Sequence, residues 1–308
     1  MPSRAPGAGG LLPLKFWQAL SFTETDQLIP LARHCEELGF HGVFLADHVF
    51  VPGRITSRYP YSSDGAPPFT PETEHPEPWA AICAMAQATT RLWFSTAVYL
   101  SPLRHPLHVA KSVATASVLS QGRIALGIGV GWVREEFDVL GRSFGARGAL
   151  LEEGVEVMRK VWGGGMVEHH GPHFEFSELA MAPTPVAPVP IWIGGRSEVA
   201  LRRAARYDGW IGSGDTPESA AGALATLRAH REAAHRSAEP FEAIVAAGPA
   251  PDPALFRRLE AAGATAFVSY PPAYSLGAGA SLEAKRRHVS EWISGAGGGL
   301  RRGDFAEA

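Results

Sequence analysis

The chain is poor in cysteine, close to neutral and without a long unbroken apolar run. Two cysteines in 308 residues, Cys35 and Cys83, cannot frame a disulfide-stapled fold. Both fall in helix-like segments and read as reduced thiols, which points to the cytoplasm. A formal net charge of −3 lacks the basic excess that nucleic acid or an anionic membrane surface selects. The longest apolar run near the start, LLPLKFWQAL, is broken by Pro13 and Lys15, so it suits neither a signal-peptide core nor a membrane span. There is no P-loop, nucleophile elbow or zinc-protease motif, and no internal repeat. The partner these absences leave is a small-molecule substrate.

What is present is a regular alternation. Short runs rich in β-branched and aromatic residues alternate with amphipathic runs at helical spacing. LKFWQAL, HGVFLADH, RLWFSTAVYL, RIALGIGVG, PIWIGG, GWIGSG, FEAIVAAG and ATAFVSY read as strands, each followed by a helical segment. In the first helix, Leu28, Leu31, Ala32, Cys35 and Leu38 share a face, and Gly39 ends it. Strands that are nearly all apolar imply a parallel sheet covered on its outer face. Eight such units predict an α/β fold, a (β/α)8 TIM barrel. A doubly wound open sheet is the alternative and needs a reversal of strand order. Three connections are long: 49–76 after strand 2, 132–146 after strand 4, and 163–190 before strand 5, the last with a hairpin around Gly171-Pro172. Residues 1–10 and 295–308 read as flexible tails flanking a single domain, 11–294.

In such barrels the chemistry sits at the C-terminal strand ends. There the sequence offers an acid–histidine pair, Asp47-His48, and two glycine-rich turns. It also offers aromatics, Trp17, Tyr99 and Trp132, suited to a pocket for a flat apolar ligand. Gly194, Gly195 and Arg196 precede a helix, where free N–H groups, the helix dipole and a cation suit a phosphate; a plain tight turn is the alternative. Gly129 and Gly131 fit either cofactor contact or close strand packing. His48 could accept a proton, or could anchor the loop that starts at Val49. In EHHGPH only two histidines could share a metal, so this stretch reads as a solvated hairpin and no metal is expected. Tyr59, Tyr61 and Phe69 in the 49–76 segment suggest an apolar or aromatic substrate.

Three stretches together, LARHCEELGFHGVFLADHV, LSPLRHPLHVAKSVATASVLSQGRIALGIGVGWVREEFDVLG and VPIWIGGRSEVALRRAARYDGWIG, resemble the bacterial luciferase-like family of flavin- or deazaflavin-dependent oxidoreductases. The resemblance runs from about Leu14 to Tyr270 and is closest to the branch that uses coenzyme F420. It implies the same barrel, a catalytic histidine at His48 with Asp47 as its orienter, and a non-proline cis peptide at Ala97–Val98 against the ring. It also implies glycine contacts at Gly129 and Gly131, a phosphate turn at Gly194 and Gly195, and a homodimer. Two departures weaken a sugar-phosphate dehydrogenase reading: Trp132 stands where that branch has a glutamate, with Glu135 and Glu136 following, and VFVPG lacks its tryptophan. Ser117 replaces a frequent acid, a packing matter. The expectation is hydride transfer between F420 and an organic substrate under a 49–76 lid. The alternatives are an FMN- and oxygen-dependent monooxygenase, a flavin-binding barrel without turnover, or a flavin-free barrel enzyme acting on a phosphorylated metabolite.

Overall fold

A computed structural model describes residues 14–296, apart from positions 215, 247 and 249. Parallel strands β1 (Lys15–Ala19), β2 (Gly42–Leu45), β3 (Trp93–Thr96) and β4 (Leu126–Ile128) form the first half of a barrel. Between them run α1 (Leu28–Glu37), α2 (Pro78–Gln87) and α3 (Pro106–Leu119). After β4 come a short α4 (Arg134–Val139), α5 (Arg147–Trp162), and an antiparallel hairpin of β5 (Val167–His170) and β6 (Glu175–Leu179). The second half alternates β7 (Ile191–Gly194), α6 (Glu198–Ala204), β8 (Gly209–Ile211), α7 (Pro217–Ala233), β9 (Glu242–Ala246), α8 (Pro253–Ala261) and β10 (Ala266–Ser269). Helices α9 (Pro272–Leu276) and α10 (Leu282–Ala296) follow.

The sheet order β3-β2-β1-β10-β9-β8-β7-β4 brings first and last strands round to each other. Parallel bridges Phe94–Ile124 and Tyr99–Ile128 close the seam. At that seam Gly127 has no substitute: a Cβ there would lie 1.9 Å from the Thr96 carbonyl oxygen, while Thr96 Oγ1 donates to the Gly127 carbonyl at 2.7 Å. The fold is therefore the (β/α)8 TIM barrel, with its insertions where the sequence places them. Helix starts are marked chemically. Pro78, Pro217 and Pro253 occupy first turns, and Glu77, Thr216 and Asp252 accept N–H groups there.

Apolar side chains form two layers. Phe16, Phe94, Phe256, Phe267 and Trp292 fill the space between sheet and helices. Trp17, Phe44, Trp192, Ile244 and Ala266 fill the barrel interior, with Trp17 4.5 Å from Phe44 and edge-on to Trp192 at 5.6 Å. Burying side chains of this size contributes about 2–3 kcal/mol each. Helix α10 continues to Ala296, two residues into the stretch read as a tail; residues 1–13 and 297–308 lie outside the described residues. Among the described residues no helix is long and apolar enough to cross a membrane.

Candidate active site

The C-terminal strand ends and the 49–76 segment enclose a cavity of about 1330 Å³. Asp47, His48, Ala97, Val98, Gly129, Gly131, Trp132, Gly194, Gly195 and Arg196 all line it. Trp17 does not. Its register partner is Gly42, the first residue of β2, so it lies low in the barrel and lines a cavity at the opposite end. Tyr99 does not line the site either. Its ring points outward, edge-on to Trp79 at 5.9 Å, with the Arg104 guanidinium 4.3 Å above it.

The Asp47-His48 pair is not a pair in space. Asp47 is buried and accepts two hydrogen bonds from Arg104, Nη1 at 2.6 Å and Nη2 at 2.9 Å, and one from the Leu100 N–H at 2.8 Å. Its oxygens hold the Leu100–Arg104 turn, so the expectation that Asp47 orients His48 is corrected. The orienter is Glu136, on α4. Its Oε2 lies 2.9 Å from His48 Nδ1, and its Oε1 accepts the Val49 N–H at 3.1 Å. Glu136 has no solvent exposure. A carboxylate there accepts from Nδ1–H and leaves Nε2 as the basic nitrogen. Sequence reasoning noticed Glu136 only as a late substitute for an absent acid. The available signal was its place three residues after Val133 and next to Phe137, a carboxylate beside the apolar residues of a short turn.

Around His48 stand Phe69 at 4.8 Å, His75 at 5.1 Å and Trp132 at 6.2 Å, edge-on. Tyr59 packs on Trp132 at 5.2 Å. Burial, with His48 nearby, pushes the His75 pKa down to about 4, and its Nε2 is buried without a partner. Burial also pushes the Tyr59 phenol up, beyond any physiological ionisation. The His48 end of the cavity is thus lined by aromatic rings.

Val98 forms one wall. The Ala97–Val98 peptide is cis. A Cβ at Gly129 or at Gly194 would each lie 2.4 Å from a Val98 methyl. Both glycines therefore make room for Val98, and both also line the cavity. Arg196 donates to the Gly214 and Pro60 carbonyls, at 3.1 and 3.0 Å, and its guanidinium lies 5.2 Å from the Tyr61 ring. It ties the 49–76 segment to the barrel while still lining the cavity, a fastening role the sequence did not reveal. Two further arginines that sequence reasoning missed, Arg147 and Arg203, line the cavity; Arg203 donates to Glu152 at 2.8 Å. Arg147 Nε is buried with no partner, and the charges of Arg134 and Arg203 join burial in lowering its pKa.

The EHHGPH stretch is not solvated throughout. His169 is buried, with Nε2 3.2 Å from Glu153 and Nδ1 3.1 Å from Lys160. Among the described residues no group of three or more His, Cys, Asp or Glu side chains is placed to hold a metal. Ser117 accepts the Val186 N–H at 3.2 Å, a packing contact.

An apolar wall, a carboxylate-backed histidine and several arginines thus meet at one barrel mouth, where barrel enzymes hold their ligands. Residues 9–307 match the luciferase-like monooxygenase family, and the chain belongs to that family. An uncharacterised Mycobacterium tuberculosis protein is 33% identical over 229 residues, 74% of this chain and 79% of its own. The F420-dependent glucose-6-phosphate dehydrogenase of Amycolatopsis mediterranei is 31% identical over 60% of this chain and 52% of its own. Among solved structures, monooxygenase RslO1 from Streptomyces bottropensis superposes with a TM-score of 0.73 at 18% identity, covering 92% of this chain and 98% of its own. An F420-dependent secondary alcohol dehydrogenase in complex with an F420-acetone adduct superposes at 0.72 and 17%, covering 92% and 99%. The protein is an oxidoreductase with a flavin-type cofactor, deazaflavin or flavin. The cavity fits such a group: Val98 and Ala97 offer a flat apolar wall, and Arg147, with its unpartnered Nε, offers a counter-charge to an anionic tail.

Proposed function

We propose that the protein oxidises or reduces a small uncharged organic substrate, an alcohol or its carbonyl counterpart, with coenzyme F420. The observation that carries this reading is the buried Glu136 behind His48, which leaves Nε2 as a proton acceptor on the cavity. The bound deazaflavin would supply the two-electron chemistry, exchanging a hydride with a substrate carbon. His48 Nε2 takes the hydroxyl proton in the oxidising direction and returns it in the other. Glu136 stabilises the imidazolium that forms. Phe69, Trp132 and Tyr59 exclude water and shape the substrate space, so an apolar or aromatic substrate is favoured. Arg147 would hold the anionic end of the cofactor.

Titrating the purified apo protein with F420 and with FMN tests the cofactor. Micromolar or tighter F420 binding is expected; tight binding of FMN with none of F420 overturns the reading. A second reading is supported by the RslO1 likeness: an FMN-dependent monooxygenase on the same scaffold. It predicts oxygen consumption coupled to substrate, which the first does not.

A further inference from the structure

We propose that Ser57 and Glu135 are positioning residues that couple closure of the 49–76 segment to the orientation of His48. The inference rests on His48 as the proton-transferring group and concerns what holds it in register.

Helix α4 has only six residues, too few to be stable by itself, and the Val133 side chain makes no cap bond. The missing cap comes from the lid: Ser57 Oγ accepts the Arg134 N–H at 3.0 Å. The next residue returns the contact. Glu135 accepts from Thr56 N and Oγ1, both at 2.6 Å, and from Ser57 N and Oγ, at 3.2 and 2.8 Å. Burial alone would raise the Glu135 pKa, but the Thr56 and Ser57 donors outweigh it and hold it at about 2. One residue further, Glu136 grips His48 Nδ1 and the Val49 N–H, at the root of the same segment. Phe137, fully buried against Leu100 and Leu103, pins the far side of the turn to the barrel.

The first turn of α4 is therefore held by the lid on one side and holds the histidine on the other. When residues 56–57 lift away, the Arg134 N–H loses its acceptor and Glu135 loses four donors. The turn frays, and it carries Glu136. His48 then loses the acceptor that fixes its tautomer. Closing over substrate assembles the base; opening for release disassembles it.

Ser57→Ala and Glu135→Gln, made separately, test this without turnover as the readout. Nitrogen-15 NMR of histidine-labelled protein reads the His48 tautomer, assigned with His48→Gln. Limited trypsin digestion reads the lid through cleavage after Arg58. Wild type should show the Nδ1–H form. Each variant should raise Arg58 cleavage about tenfold and lower the Nδ1–H to Nε2–H ratio at least fivefold. Ser57→Thr, which keeps the hydroxyl, should restore both. Faster cleavage with an unchanged tautomer overturns the coupling, and so does no change in either readout. If either variant fails to fold, the other decides. A His48→Ala enzyme with normal turnover would refute the proposed function yet leave these readouts intact, so the two failures are distinguishable.

Discussion

His48 Nδ1 lies 2.9 Å from Glu136 Oε2 across 88 residues of chain, while Asp47, beside His48 in sequence, faces Arg104. Two carboxylates near one histidine thus have separate work. Glu136 faces His48 Nδ1, and Asp47 fixes the turn that carries the cavity wall from Val98 to Leu100. Their replacement should separate catalysis from stability.

Replacing His48 with Ala should lower kcat by about 10²–10⁴, the usual worth of a positioned acid–base group. Cofactor affinity should stay within about threefold. Glu136→Gln, which keeps shape but not charge, should cost about 10- to 100-fold in kcat. Steady-state kinetics beside fluorescence titration of the cofactor checks both; full turnover in His48→Ala sinks the assignment.

Asp47→Ala should act through the fold. It leaves Arg104 without its bidentate partner at a mostly buried site, a class of change that costs about 3–5 kcal/mol. Urea denaturation should show a lower midpoint with an unchanged slope. A kcat loss as deep as that of His48→Ala, at wild-type stability, would return Asp47 to the catalytic pair.

Gly129→Ala should fail by collision. The new methyl would meet Val98 at 2.4 Å, an overpacking worth about 1–3 kcal/mol, and it would push the wall into the cavity. The double variant Gly129→Ala with Val98→Ala should recover thermal stability and cofactor binding. A double variant no better than the single one would show that the glycine serves another contact.

Acidification should weaken the fold through two half-buried histidines. Burial, helped by Lys15, pushes His41 down to about 4, and burial with His48 does the same to His75. Below the unfolded value of 6.5 the unfolded chain binds protons that the folded chain refuses. Stability present above about pH 6.5 is therefore lost as pH falls toward 4, at about 1.4 kcal/mol per pH unit per histidine. His41→Phe, which keeps the stack on Trp93, should flatten that slope in thermal melts between pH 7 and 4.5. An equal slope in wild type and variant would exclude His41 as a contributor.

Much of the fold is legible because barrel strands announce themselves. Apolar runs such as GVFL and AFVS, separated by helices with capping residues and Pro starts, admit few closed arrangements. Strand ends then single out Asp47, His48, Gly129 and Gly194, and the cavity receives all four. Side-chain direction is less legible. Trp17 and Tyr99 sit at strand ends in the sequence, yet one lies low in the interior and the other points outward. Which way each faces depends on register, Trp17 beside Gly42 and Tyr99 beside Ile128.

The alternation of elements, the placement of the long insertions and the histidine at the second strand end are properties of the sequence itself. They follow from local periodicity and composition, which each segment expresses without reference to the others. Who partners whom was decided only in three dimensions. In the sequence Asp47 and Glu136 are both simply carboxylates. The barrel delivers Arg104 to the first, and the lid-capped turn of α4 delivers the second to His48, because hydrogen bonds of this length depend on distances that only the closed fold sets.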